Sequence, residues 1–154
     1  MNKEDKKNAY LYCKFRDEQF ALYDEYAKRH GMLMKTLLVV NVLFYAADGL
    51  TQTDICQRTF QSKQTVNLII KNLLAEGYVA VAQVPENKRN KIVRMTEAGR
   101  GYCEKVVRHI TWAEDTAMSM FTAEEQKQLI DLSRTFTKNL TKLVNQETEE
   151  IEEW

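Results

Sequence analysis

Two histidines and three cysteines are all that this 154-residue sequence offers as soft metal ligands. Cys13, Cys56 and Cys103 lie far apart, and no CxxC occurs. A thiolate–imidazole zinc site therefore has little to draw on. Acid–base chemistry is equally short of material. The sequence shows no Ser-His-Asp set, no glycine-rich phosphate loop and no metal cluster. It is read as a non-enzyme without a cofactor. A membrane-length apolar run is missing as well. The longest apolar stretch, Leu37 to Ala47, is broken by Asn41, well short of the roughly 18 residues that a span needs. The opening MNKEDKKNAY is charged with no apolar segment behind it, unlike a secretory signal, and the expectation is a cytoplasmic protein with no membrane partner.

Excess charge of one sign is also lacking: the formal net charge is zero, with 29% charged and 44% hydrophobic residues, as in ordinary globular domains. The zero conceals a separation. From Arg58 to Arg94 seven basic residues face two acidic ones, and Glu147 to Glu153 carries five glutamates and no base. One basic face of this kind can meet a polyanion. The only proline, Pro85, sits in the turn-like PENKRN, with Lys88, Arg89, Lys91 and Arg94 around it.

What is present is mostly helix. Residues 8 to 29 place Leu11, Phe15, Leu22 and Tyr26 on one face, with Tyr12, Phe20 and Tyr23 beside it, and Gly31 follows as a stop. Residues 33 to 47 are apolar almost all round and predict a buried central helix ending at Asp48-Gly49. Thr51 with Asp54 forms a capping-box pattern for a short helix to about Phe60, with Ile55 and Cys56 facing inward. Ser62 caps a second helix, with Val66, Ile69, Ile70, Leu73 and Leu74 at helical spacing, and Gly77 ends it. Two capped helices joined by a tight turn suggest a helix-turn-helix. The period then changes. Residues 78 to 82 and 91 to 95 predict a two-stranded hairpin, or wing, across a turn at 85 to 90. Thr96 caps a helix running to about Met120. Thr122 and Glu125 open the last helix, to roughly Gln146.

A recognition helix enters the major groove by its N-terminal side chains. Those would be Ser62, Lys63, Gln64, Thr65 and Asn67, with Lys71 reaching the backbone. Gln64 and Asn67 suit adenine edges, and the hydroxyls suit phosphates. A hairpin tip with Lys88 and Arg89, backed by Lys91, can reach the adjacent minor groove, where the potential is most negative. The plainer alternative is a solvated basic loop.

The segments LTQTDICQRTFQSKQTVNLIIKNLLAEGYV and VPENKRNKIVRMTEAG resemble the helix-turn-helix and wing of the MarR family of bacterial transcription regulators. The resemblance covers about residue 8 to residue 147. It implies a mainly α (α+β) fold in one domain, 1–154. A winged helix-turn-helix lobe at 33–96 would join dimerisation helices at 6–30 and 97–147. It further implies a homodimer on a palindromic operator in double-stranded DNA, controlled by a small ligand or an oxidant. The family's wing usually carries an aspartate two residues before its arginine. Here Asn87 precedes Arg89, and Val81 and Ala82 stand where arginines are frequent, which leaves binding to lean on Lys88, Lys91 and Arg94.

Some family members sense peroxides through an N-terminal cysteine held near tyrosines. Cys13, beside Tyr10 and Tyr12, is the counterpart. The other reading of Cys13 is a small buried hydrophobe, since Lys14 and Arg16 are expected to project to other faces. Cys56 and Cys103 are taken as packing. Tyr23, Tyr26 and Trp112 are candidates to line a cleft for a small aromatic or amphipathic ligand, or else plain core. The favoured expectation is a ligand-controlled DNA-binding regulator. The alternatives are an oxidant sensor acting through Cys13 and a winged-helix module that binds protein with weak DNA affinity.

Overall fold

A computed structural model describes residues 2–84 and 87–146 of the chain. The first helix, α1 (Lys3–Arg29), starts earlier than its apolar spacing suggests. The cause is a local cap. The Asn2 side chain accepts from the Asp5 amide at 2.8 Å, and the Asp5 carboxylate accepts from the Asn2 amide at 3.3 Å. Asn2 lies ahead of the apolar stripe, so periodicity alone does not reach it.

Helix α2 (Met34–Phe44) is shorter than expected and buries Leu37, Val39, Val40, Leu43 and Phe44. It closes by the Ala46 amide bonding to Leu43 and the Gly49 amide to Ala46. The chain then enters a strand that the sequence reading omitted, β1 (Leu50–Thr51). Helices α3 (Gln52–Thr59) and α4 (Lys63–Ala75) follow, then β2 (Val79–Val84), β3 (Asn87–Met95), α5 (Glu97–Ser119) and α6 (Ala123–Asn145).

The wing is therefore a three-stranded antiparallel sheet in the order β1-β3-β2, not a two-stranded hairpin. Leu50 faces Val93, and Val81 faces Val93 from the other side. Two residues are too few to show a period, which is why β1 escaped notice. Gly49 makes the junction possible. Its φ is +78°, and a Cβ there would sit 2.5 Å from the Val93 carbonyl oxygen. Asn87 to Asn90 also belong to strand β3 rather than to the turn. Pro85 and Glu86 lie outside the described residues, as do the terminal glutamates and Trp154.

The chain divides into two compact units, Met1–His109 and Ile110–Trp154. The first holds a core of Leu37, Val39, Val40, Leu43, Ile55, Val66 and Val107, each at most 1% exposed. Each such side chain contributes about 1.5–3 kcal/mol relative to exposure. Within the second unit, α6 begins at a full capping box on Thr122 and Glu125 and has no buried residue along its length.

Candidate nucleic-acid interface

The helix-turn-helix is set by short-range bonds that the sequence announces. Thr51 Oγ1 accepts from the Asp54 amide at 3.1 Å, while the Asp54 carboxylate accepts from the Thr51 hydroxyl at 2.6 Å and from its amide at 3.0 Å. These bonds hold the Asp54 carboxyl below the usual carboxylate range, with the Thr51 hydroxyl as the largest cause. At the other end of α3, Phe60 turns the chain with φ 52° and ψ 35°. It is the only non-glycine residue at positive φ among the described residues. That conformation costs a bulky side chain about 1–3 kcal/mol. Gln61 then fastens the turn to α2: its Nε2 donates to the Lys35 carbonyl at 3.0 Å.

Ser62 caps α4, accepting from the Thr65 amide at 3.2 Å. The two hydroxyls also bond each other at 2.9 Å, so both are engaged in the cap as well as facing outward. Beyond the cap, α4 sorts its faces cleanly. Val66, Ile69, Ile70 and Leu73 are buried, whereas Lys63, Gln64, Asn67 and Lys71 are exposed and Thr65 is half-buried. Leu74, read as core, is 48% exposed, because it stands at the edge of a groove. That groove, about 480 Å³, runs between α4 and the wing. Its polar lining comes from Gln52, Asn67, Lys71, Gln83 and Lys91, and its apolar lining from Ile70, Leu74, Val81 and Val93. Lys71 and Lys91 therefore share one concavity although 20 residues separate them. Gln52 and Gln83 were missed because single glutamines carry no spacing signal.

Lys88 and Arg89 lie on strand β3, and their side chains are outside the described residues. Arg94 is exposed and also has a partner within the chain. Its Nε donates to the Asp48 carbonyl at 2.9 Å, tying the wing to the turn after α2. At the root of the wing, Thr96 Oγ1 donates to the Gly77 carbonyl at 2.7 Å and accepts from the Gly99 amide at 3.0 Å. Gly99 follows from that closure, since a Cβ there would overlap the Tyr78 carbonyl oxygen. Tyr78 and Tyr102 stack with centroids 4.2 Å apart.

The aromatic ligand candidates separate. Tyr26 is buried, its hydroxyl donates to the Val106 carbonyl at 3.1 Å, and its ring stacks on His109. Burial pushes its phenol above the ordinary value. Tyr23 is half-buried on α1, and Trp112, in the second unit, is 61% exposed. The cysteines separate too. Cys13 is half-buried. Arg16 lies within electrostatic reach of it, not on another face, but its guanidinium donates to Asp17 at 2.8 Å. Cys56 is half-buried rather than core; Ile55 and Thr59 are the buried residues of α3, the Thr59 hydroxyl donating to the Ile55 carbonyl. Cys103 is fully buried, with Sγ 3.5 Å from the Met95 sulfur, and burial pushes its thiol up to about 11. Among the described residues no cluster of histidine, cysteine or carboxylate could hold a metal, and no helix is long and apolar enough to cross a membrane.

Two capped helices, an anchored turn, an outward polar face on the second helix and a three-stranded wing define a winged helix-turn-helix protein. Comparison with known proteins narrows the class. The MarR family model matches residues 30–90. An HTH-type transcriptional regulator of Bacillus subtilis, YdgJ, is 25% identical over 111 residues, covering 72% of this chain and 68% of its own. The fold is shared with AbsC, a MarR family regulator of Streptomyces coelicolor, at a TM-score of 0.77 and 15% identity, covering 92% of this chain and 97% of AbsC. It is shared too with S. aureus MepR in its DNA complex, at 0.64 and 22%, covering 89% and 96%. Residues 30–90 of the chain thus match the MarR family model within a winged helix-turn-helix fold that MarR family regulators share.

Proposed function

We propose that this regulator binds double-stranded DNA as a homodimer on a palindromic operator and that a small aromatic or amphipathic ligand governs its occupancy. The observation that carries the reading is the outward face of α4. Lys63, Gln64, Asn67 and Lys71 are exposed together, beside a groove that brings in Lys91. Amide side chains on that face suit adenine edges, and the lysines suit phosphates. The DNA complex of the similarly folded MepR supports the same use of the fold. Ligand control is favoured over oxidation at Cys13 because the cation one turn away is already paired with Asp17. A coupling of about 1–3 kcal/mol between ligand and DNA is enough to switch occupancy.

The test is binding to duplexes selected from a random pool, repeated over a range of salt. Arg89→Ala is expected to weaken binding to every sequence and to flatten the salt slope by about one counterion. Gln64→Ala is expected to relax preference at one position per half-site, by about 1–3 kcal/mol. Arg89→Ala with affinity and slope unchanged would reduce the basic strand to a solvated surface.

A further inference from the structure

Phe60 combines two costs at one position. Its ring is 96% exposed, so it contributes little to the core of the chain. Its backbone holds φ 52° and ψ 35°, a region that glycine and asparagine occupy far more easily than phenylalanine. The fold asks only that the turn after α3 be left-handed, and either of those residues would meet that demand with less strain. Among the described residues, no packing accounts for an aromatic ring here.

The position of the ring is fixed from both sides. Before it, the Phe60 amide donates to the Cys56 carbonyl and closes α3. After it, Gln61 is bonded to Lys35, and Ser62 caps α4. The turn is thus anchored to α2, and the ring stands two residues ahead of the N-cap of the helix whose outward face carries Lys63, Gln64 and Asn67. In a helix-turn-helix, this end of the recognition helix is the end that approaches base edges. The apolar groups DNA presents there are thymine C5-methyl groups and the adjoining deoxyribose carbons, and phenylalanine is a suitable partner for the methyl.

We infer that Phe60 is a specificity-determining contact of this protein, seating its exposed ring against a thymine methyl at the edge of each half-site. The inference rests on the DNA-binding reading above and adds a residue that its polar face lacks. The strain at Phe60 is then retained because the ring is used in the complex. Polar contacts from Gln64 and Asn67 read adenine, and Phe60 reads the presence of a methyl group nearby.

The experiment compares the full chain with Phe60→Asn and Phe60→Gly, on duplexes selected by the unaltered protein. In those duplexes thymines are replaced one at a time by deoxyuridine, which removes only the methyl. Both variants relieve backbone strain without uncovering a core, so urea unfolding should show at least the stability of the original chain. The expected result is DNA binding weakened about 3- to 10-fold in both variants. The original protein is expected to lose a similar factor at one deoxyuridine position per half-site, and the variants to be indifferent there. Weakened binding with no deoxyuridine effect would overturn the inference, since the ring would then read no methyl group. Variants that bind every duplex as well as the original chain would overturn the inference and leave DNA binding standing. An original protein that binds no duplex would overturn both.

Discussion

Cys103 and Cys13 carry the same side chain in opposite surroundings, and chemistry should follow the surroundings. Cys103 is enclosed beside Met95, where burial pushes its thiol up to about 11. A thiol in that state is almost wholly protonated at neutral pH and shielded from reagents. Cys13 is half-buried on an exposed helix. Native-state labelling with iodoacetamide, read by mass spectrometry, should therefore modify Cys13 and spare Cys103 until the protein is unfolded. Reactivity is not the same as regulation, however. With Arg16 engaged by Asp17, stoichiometric organic hydroperoxide should leave DNA binding intact. Loss of binding in the unaltered chain but not in Cys13→Ser, restored by added thiol, would make Cys13 the switch instead.

Among the elements, the junction of β2, β3 and α5 depends on one missing methyl group. Gly99 lies against the Tyr78 carbonyl oxygen, while at Gly101, two residues on, a methyl group would meet no described atom within 4 Å. Both occupy α5, so helix propensity favours alanine equally at the two positions, by about 0.5–1 kcal/mol. Packing separates them. Gly101→Ala should stabilise the protein by about that amount. Gly99→Ala should destabilise it by about 1–3 kcal/mol, because the Tyr78 backbone must shift. Urea midpoints for the two variants check this, and equal midpoints would mean that the wing root yields freely. The N-terminal caps need no such distant partner. Thr51 with Asp54, Ser62 with Thr65 and Thr122 with Glu125 each close within three residues, and for that reason they are readable in the sequence.

For the whole molecule the unsolved quantity is the covering of apolar surface. Helix α6 exposes Leu129, Ile130, Leu132, Leu140, Leu143 and Val144, and α1 separately exposes Leu11, Phe15, Phe20 and Leu22. Faces of that size are seldom left to water, and a second copy of the chain is the partner we propose for them. Sedimentation at micromolar concentration should give twice the chain mass. Leu132 and Leu143 are 71% and 65% exposed in the single chain. Changing both to glutamate should therefore dissociate the dimer without removing core from either copy. A clean monomer before any substitution would end the argument for a symmetric operator.

The sequence by itself determined the local grammar of this protein: where helices begin, which face of α4 is apolar, that a wing follows, and which polar side chains α4 turns outward. Each depends on residues within a turn or two of one another, so spacing and side-chain chemistry suffice. Tertiary structure alone decided the rest. Strand β1 exists because Gly49 lets two residues lie against β3. Arg94 braces the wing because Asp48, 46 residues away, presents a carbonyl to its Nε. Tyr26 is held in the core because Val106, 80 residues on, accepts its hydroxyl. Lys71 and Lys91 became neighbours across one groove only when the sheet folded beside α4. These outcomes depend on contacts between distant segments, and a linear pattern of residue types does not encode which backbone group another side chain will meet.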